Sequence, residues 1–147
     1  MAAQESSVRR GVTLRRISPE IYEATNSKGV TVRVGHGDEV FGPVELLLAA
    51  TAACTSIDVD VATSRHAEPE KFEVTSAGDV VKGEQGNKVE NMELNFSLRF
   101  PDTDEGRRAQ SMVERLVKIS REKDCTVGRT VALPTELHSA VDGKIVA

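Results

Sequence analysis

The segment from Pro43 to Ser64 reads "PVELLLAATAACTSIDVDVATS". A proline that can open a helix precedes it, and "HAEPEK" breaks it. The spacing predicts a helix from about Val44 to Ser64 whose first half is apolar on nearly every side. A helix of that kind has to be covered on most of its faces. The longest apolar run, Val44 to Cys54, falls short of the ~20 residues that cross a bilayer, so a central helix is expected and no membrane partner. The helix has too few polar positions to lie on one face of a small sheet. A second copy of the chain covering it, as in a homodimer, would meet that need.

The flanking segments supply the sheets. "VTLRRI", "IYEAT" and "VTVRVG" are short, rich in β-branched residues and roughly alternating, which predicts a three-stranded antiparallel meander starting at Val12. "KFEVTSAGDVV" and "KVENMELNFSLRF" read as two more strands joined through "KGEQGN". "PDTDEGRRAQSMVERLVKISREK" is an amphipathic helix with acids in its first turn and Val113, Leu116, Val117 and Ser120 on one stripe. "DCTVGRTVAL" predicts a short helix capped by Asp124, and "TELHSAV" a closing strand. The order βββ-α-ββ-αα-β implies an α+β fold with helices on antiparallel sheets. Residues 1–10 are polar and expected to fray, leaving one domain over 11–147.

Charge and composition exclude several functions. A net charge of −4, 3% aromatic residues and no tryptophan do not suit a nucleic-acid binder, which needs a basic face and stacking platforms. "MAAQESSVRRG" has no apolar core of a signal peptide, so the expected compartment is the cytoplasm. There, two cysteines are not expected to form a permanent structural disulfide. His36, His66 and His138 are scattered and no Cys-x-x-Cys occurs, so no metal site is expected. His36, in "VGHGDE", reads as a surface loop residue before the helix.

The chemistry rests on the thiols. On a helix advancing about 100° per residue, Asp58 and Thr51 share a face with Cys54, whereas Glu45 points nearly the opposite way. A carboxylate and burial both disfavour a thiolate at Cys54. It becomes a nucleophile only beside a cation, for which Arg15, Arg16, Arg33 and Arg129 are the candidates. Cys125, at the start of a helix with Arg129 one turn on, has the better local position for an acidic thiol. Against this stands the plain alternative that each cysteine merely fills core.

"GPVELLLAATAACTSIDV" and "REKDCTVGRTV", in this order and inside this sequence of strands and helices, resemble the OsmC/Ohr group: osmotically inducible protein C and the organic hydroperoxide resistance proteins. The resemblance covers nearly the whole chain and lies closer to the OsmC-like members. It implies an intertwined homodimer with active sites at the interface and no metal or haem. It also implies a thiol peroxidase acting on organic hydroperoxides. Cys54 would attack the peroxide and become a sulfenic acid, Cys125 would condense with it to a disulfide, and a dithiol such as a lipoyl group would restore both. This reverses the local ranking of the two thiols. Peroxidase members carry a glutamate ten residues before the first cysteine, holding the activating arginine. Here Val44 stands there and Glu45 is one place later. Either Glu45 turns in from a later helix start, or Asp58 holds the arginine, the option favoured here. The arginine itself is assigned by position to Arg16, with Arg15 next to it. Thr126 stands where many members have proline. Two other functions remain open: a non-catalytic dimer binding a small apolar ligand at its interface, and a thiol-based redox sensor.

Overall fold

The computed structural model describes residues 5–147. The N-terminal segment expected to fray lies partly outside these residues; 5–11 form neither helix nor strand and are exposed. The chain divides after Leu47 into two compact units, each built from its own local pairings.

The first unit is the expected meander. Strands β1 (Val12–Ser18), β2 (Ile21–Asn26) and β3 (Thr31–Gly35) pair antiparallel in sequence order. Between β1 and β2 Glu20 takes a positive φ of 64°, and its carbonyl accepts the His36 N–H at 3.0 Å. Gly35 lies against that same carbonyl: a Cβ there would stand 2.0 Å from the oxygen. Between β2 and β3 the Asn26 side chain accepts from the N–H groups of Lys28 and Val30, a local turn bond typical of asparagine.

Helix α1 (Pro43–Thr63) then begins, with proline as its first residue. Glu45 closes its start, Oε1 accepting from the Gly42 N–H at 2.8 Å, the reach-back half of a capping box. Within the chain α1 buries a single stripe, Thr51, Thr55, Val59 and Thr63. Ile57 and Val61 stay 61% and 53% exposed. The cover expected on most faces is therefore not supplied by the described residues of one chain. α1 is also longer than the apolar run within it: it has 21 residues, and an 18-residue stretch of it with mean hydropathy 1.4 meets the length and composition of a bilayer-crossing helix. Asp58 and Asp60 in its last turns belong at a water-facing or hydrogen-bonded surface.

The second unit carries the rest. Strands β4 (Lys71–Gly83) and β5 (Gly86–Arg99) form a long antiparallel hairpin. Its turn is tighter than "KGEQGN" suggested, because Gly86 adopts φ 117° and lets both strands run on to Gly83 and Gly86. Helix α2 (Asp104–Ile119) is capped by Thr103, whose hydroxyl accepts from the Gly106 N–H. It stops short of the predicted end at Lys123. From Ser120 to Asp124 the backbone opens into a wider turn with i+5 bonding, closed by the Cys125 N–H on the Ser120 carbonyl at 2.7 Å. Helix α3 (Thr126–Ala132) follows, and its cap is Cys125, not Asp124: Sγ accepts from the Gly128 N–H at 3.2 Å. The single strand expected over 135–141 is instead a small hairpin of β6 (Ala140–Val141) and β7 (Lys144–Ile145). Asp142-Gly143 forms its turn, both residues at positive φ, as two-residue hairpin turns require.

Candidate functional site

The second unit brings Cys54, Asp58 and Cys125 together. Both cysteines are free thiols, Cys54 half-buried and Cys125 buried at 1% exposure. They are near enough for each to bear on the other's charge. Two successive backbone N–H groups at the start of α3 bear on the sulfurs: Gly128 donates to Cys125 Sγ, and Val127 lies near Cys54. Burial pushes the Cys54 thiol above its ordinary value. The neighbouring Cys125 and the Asp58 carboxylate push the same way, while the Val127 N–H favours the thiolate.

Asp58 does not hold an arginine of this unit. Its Oδ2 accepts from the Ser120 hydroxyl at 2.6 Å. Arg129 also turns elsewhere, donating to the Glu122 carbonyl. Glu45 lies in the first turn of a helix that already runs from Pro43, so it does not swing in from a later start, and its carboxylate serves the Gly42 N–H. Arg15, Arg16 and Arg33 stand on the meander of the first unit. Glu23 pairs with Arg15 on one side and Arg33 on the other, whereas Arg16 faces Tyr22 and has no acid across the strand. His36 is a surface residue, its side chain 75% exposed and 3.5 Å from Glu20.

A cavity of about 430 Å³ opens in the second unit; neither cysteine lines it, but Gly128, whose N–H donates to Cys125 Sγ, does. Thr51 and Thr55 of α1 and Gly128 of α3 bound it, Met92, Leu94 and Phe96 of β5 form an apolar wall, and Arg121 is its one cationic lining residue. Sequence reasoning named Thr51 on the Cys54 face but missed Ser120, Val127 and Gly128. Ser120 carried a legible signal, a hydroxyl on the apolar stripe of its helix. The two backbone donors carried none, because they depend on where α3 starts. Among the described residues no group of three or more histidine, cysteine or acidic side chains could hold a metal ion.

Comparison with known proteins shows the family and the fold. The family model described as "OsmC-like protein" matches residues 35–138, well over half of the chain. The chain belongs to the OsmC-like protein family. Solved structures share the fold at low identity. A hypothetical protein from Aquifex aeolicus VF5 matches with a TM-score of 0.68 and 22% identity over 86% of this chain and 89% of that one. An OsmC-like protein from Mycoplasma pneumoniae matches with a TM-score of 0.67 and 13% identity over the same shares, 86% and 89%. A Legionella pneumophila protein described as organic hydroperoxide resistance protein OsmC, a predicted redox protein, matches with a TM-score of 0.58 and 18% identity over 86% and 91%. No curated protein sequence matches the chain.

Proposed function

We propose that the protein is a cysteine-based peroxidase that reduces organic hydroperoxides. The observation that carries this reading is the pair of free neighbouring thiols, Cys54 and Cys125, in the unit that also holds a largely apolar cavity bounded by Gly128. The hydroperoxide resistance name borne by a structural relative supports it. Cys54 attacks the outer peroxide oxygen, releasing the alcohol and becoming a sulfenic acid. Cys125 then displaces water to form the disulfide, and an external dithiol exchanges both sulfurs back to thiols. A resting thiol held in its protonated form needs a cation to ionise. Arg16 is the candidate of choice, since no cross-strand acid competes for it. A homodimer would cover Ile57 and Val61 of α1, both exposed in the single chain. A cytoplasmic setting, which keeps thiols reduced between turnovers, completes the reading.

The test is consumption of cumene hydroperoxide with dihydrolipoamide as reductant. Wild type turns over. Cys54→Ser does not, and Cys125→Ser stops after one equivalent. A Cys54→Ser variant consuming peroxide at the wild-type rate would end the assignment. One observation favours a second reading. Among the described residues of the second unit no cation shifts Cys54, and Asp58 opposes its ionisation. Wild type inactive toward hydroperoxide but binding an apolar ligand in the cavity would favour a non-catalytic binding protein.

A further inference from the structure

Most hydroxyls on these helices bond back to their own helix. Ser56 donates to the Ala52 carbonyl, Thr63 to Val59, Ser111 to Arg108 and Thr130 to Thr126. Ser120 departs from this pattern. It is 1% exposed, and its hydroxyl crosses to Oδ2 of Asp58 at 2.6 Å. Its carbonyl at the same time accepts the Cys125 N–H at 2.7 Å. Asp58 lies one turn beyond Cys54 on α1. A closed ring results: Cys54, a turn of α1, Asp58, Ser120, the wide turn, Cys125 and back to Cys54 through the thiol pair.

Asp58 is costly in that place. Its negative charge opposes a thiolate at Cys54, so a neutral side chain would serve the nucleophile better. Among the described residues its side chain takes a hydrogen bond from Ser120, which starts the turn carrying the second thiol. We propose that Asp58 and Ser120 are a positioning pair that keeps Cys125 in register with Cys54 for disulfide closure. The closure is Cys54–SOH plus HS–Cys125 giving the disulfide and water. The two electrons have already passed to the hydroperoxide, which left as alcohol. For the origin of that sulfenic acid the inference rests on the peroxidase reading. The geometry of closure does not.

The experiment therefore uses no hydroperoxide. Wild type, Asp58→Asn, Ser120→Ala, Ser120→Thr and the Asp58→Asn/Ser120→Ala double variant are equilibrated with mixtures of reduced and oxidised dithiothreitol. The disulfide fraction is read by alkylation and intact mass. Loss of a hydrogen bond to a charged group predicts an effective concentration of Cys125 toward Cys54 lower by about tenfold in Ser120→Ala, and a smaller loss in Asp58→Asn, whose amide oxygen still accepts from the Ser120 hydroxyl. Ser120→Thr, which keeps the hydroxyl, retains the wild-type value. The double variant loses no more than Ser120→Ala alone, the signature of one shared interaction. A second readout separates positioning from general destabilisation. The groups facing Cys54 in this unit are Asp58 on its own helix and Cys125. Thiolate absorbance should therefore titrate at lower pH in Asp58→Asn but not in Ser120→Ala, which leaves the carboxylate in place. An unchanged equilibrium in both single variants, or equal losses in Ser120→Ala and Ser120→Thr, would overturn the proposal. If the shift appears while wild type reduces no hydroperoxide, the peroxidase reading falls and the positioning pair stands.

Discussion

Gly128→Ala puts the geometry of the second thiol under direct strain. A Cβ at Gly128 would stand 2.9 Å from Cys125 Sγ and 3.6 Å from its Cβ. Comfortable contact between such atoms begins near ~3.5 Å, so the sulfur must retreat by roughly 0.6 Å. Cys125 is 1% exposed and has little space in which to do so. Two effects on stability oppose each other. Alanine in a helix gains about 1 kcal/mol over glycine, and straining the cap that Sγ forms on the Gly128 N–H costs about 1 kcal/mol. The melting temperature should therefore move by no more than about 3 °C. Closure of the disulfide should suffer far more, because a misplacement on the order of 1 Å at reacting atoms can cost about 10²-fold in rate. The assay oxidises Cys54 with one equivalent of hydroperoxide, quenches at intervals with a sulfenic-acid trap, and weighs the products. The variant should accumulate trapped sulfenic acid for at least about ten times longer than wild type. A folded variant that closes the disulfide at the wild-type rate would refute the claim that α3 sets the position of Cys125.

Three further outcomes follow from the same structure. Cys54 has its pKa raised by burial, so the folded chain binds the thiol proton more tightly than the unfolded chain; that contribution to stability is complete below the ordinary thiol value of about 8.5 and is lost as pH rises through the folded value. Denaturant titrations across this range should show stability falling with pH in wild type and a flatter profile in Cys54→Ala. Arg16→Ala should lower the rate of peroxide reduction by at least about tenfold while Arg15→Ala, whose residue faces Glu23, changes it less, measured as kcat/KM under steady turnover. Ile57→Asp with Val61→Asp, at the exposed apolar face of α1, should convert a dimer to monomers in sedimentation velocity, since a charge in a covered apolar interface is strongly unfavourable.

How much was legible in the sequence depended on whether a signal was local. The meander announced itself through alternating β-branched residues, and β1 and β2 fall where "VTLRRI" and "IYEAT" placed them. Helix α1 was readable from its proline start and its apolar run. The end of α2 was not, because the i+5 turn at Ser120–Asp124 keeps a helix-like composition while changing the backbone bonding. That change moves the cap of α3 from Asp124 to Cys125, and no residue preference predicts a sulfur as cap over a neighbouring carboxylate. The placement of Cys54 and Asp58 on one face followed from helical periodicity alone. Which partner Asp58 takes did not, since Ser120 lies 62 residues away and only tertiary packing brings it near.

The most direct measurement of the central claim is the mass of the reduced protein after one equivalent of cumene hydroperoxide, followed by digestion without reductant. The account predicts the loss of two hydrogens per chain, a linked peptide pair containing Cys54 and Cys125, and a Cys125→Ser variant that stops at the sulfenic acid on Cys54. Recovery of both cysteines as fully alkylatable thiols, with the hydroperoxide unconsumed, would contradict it.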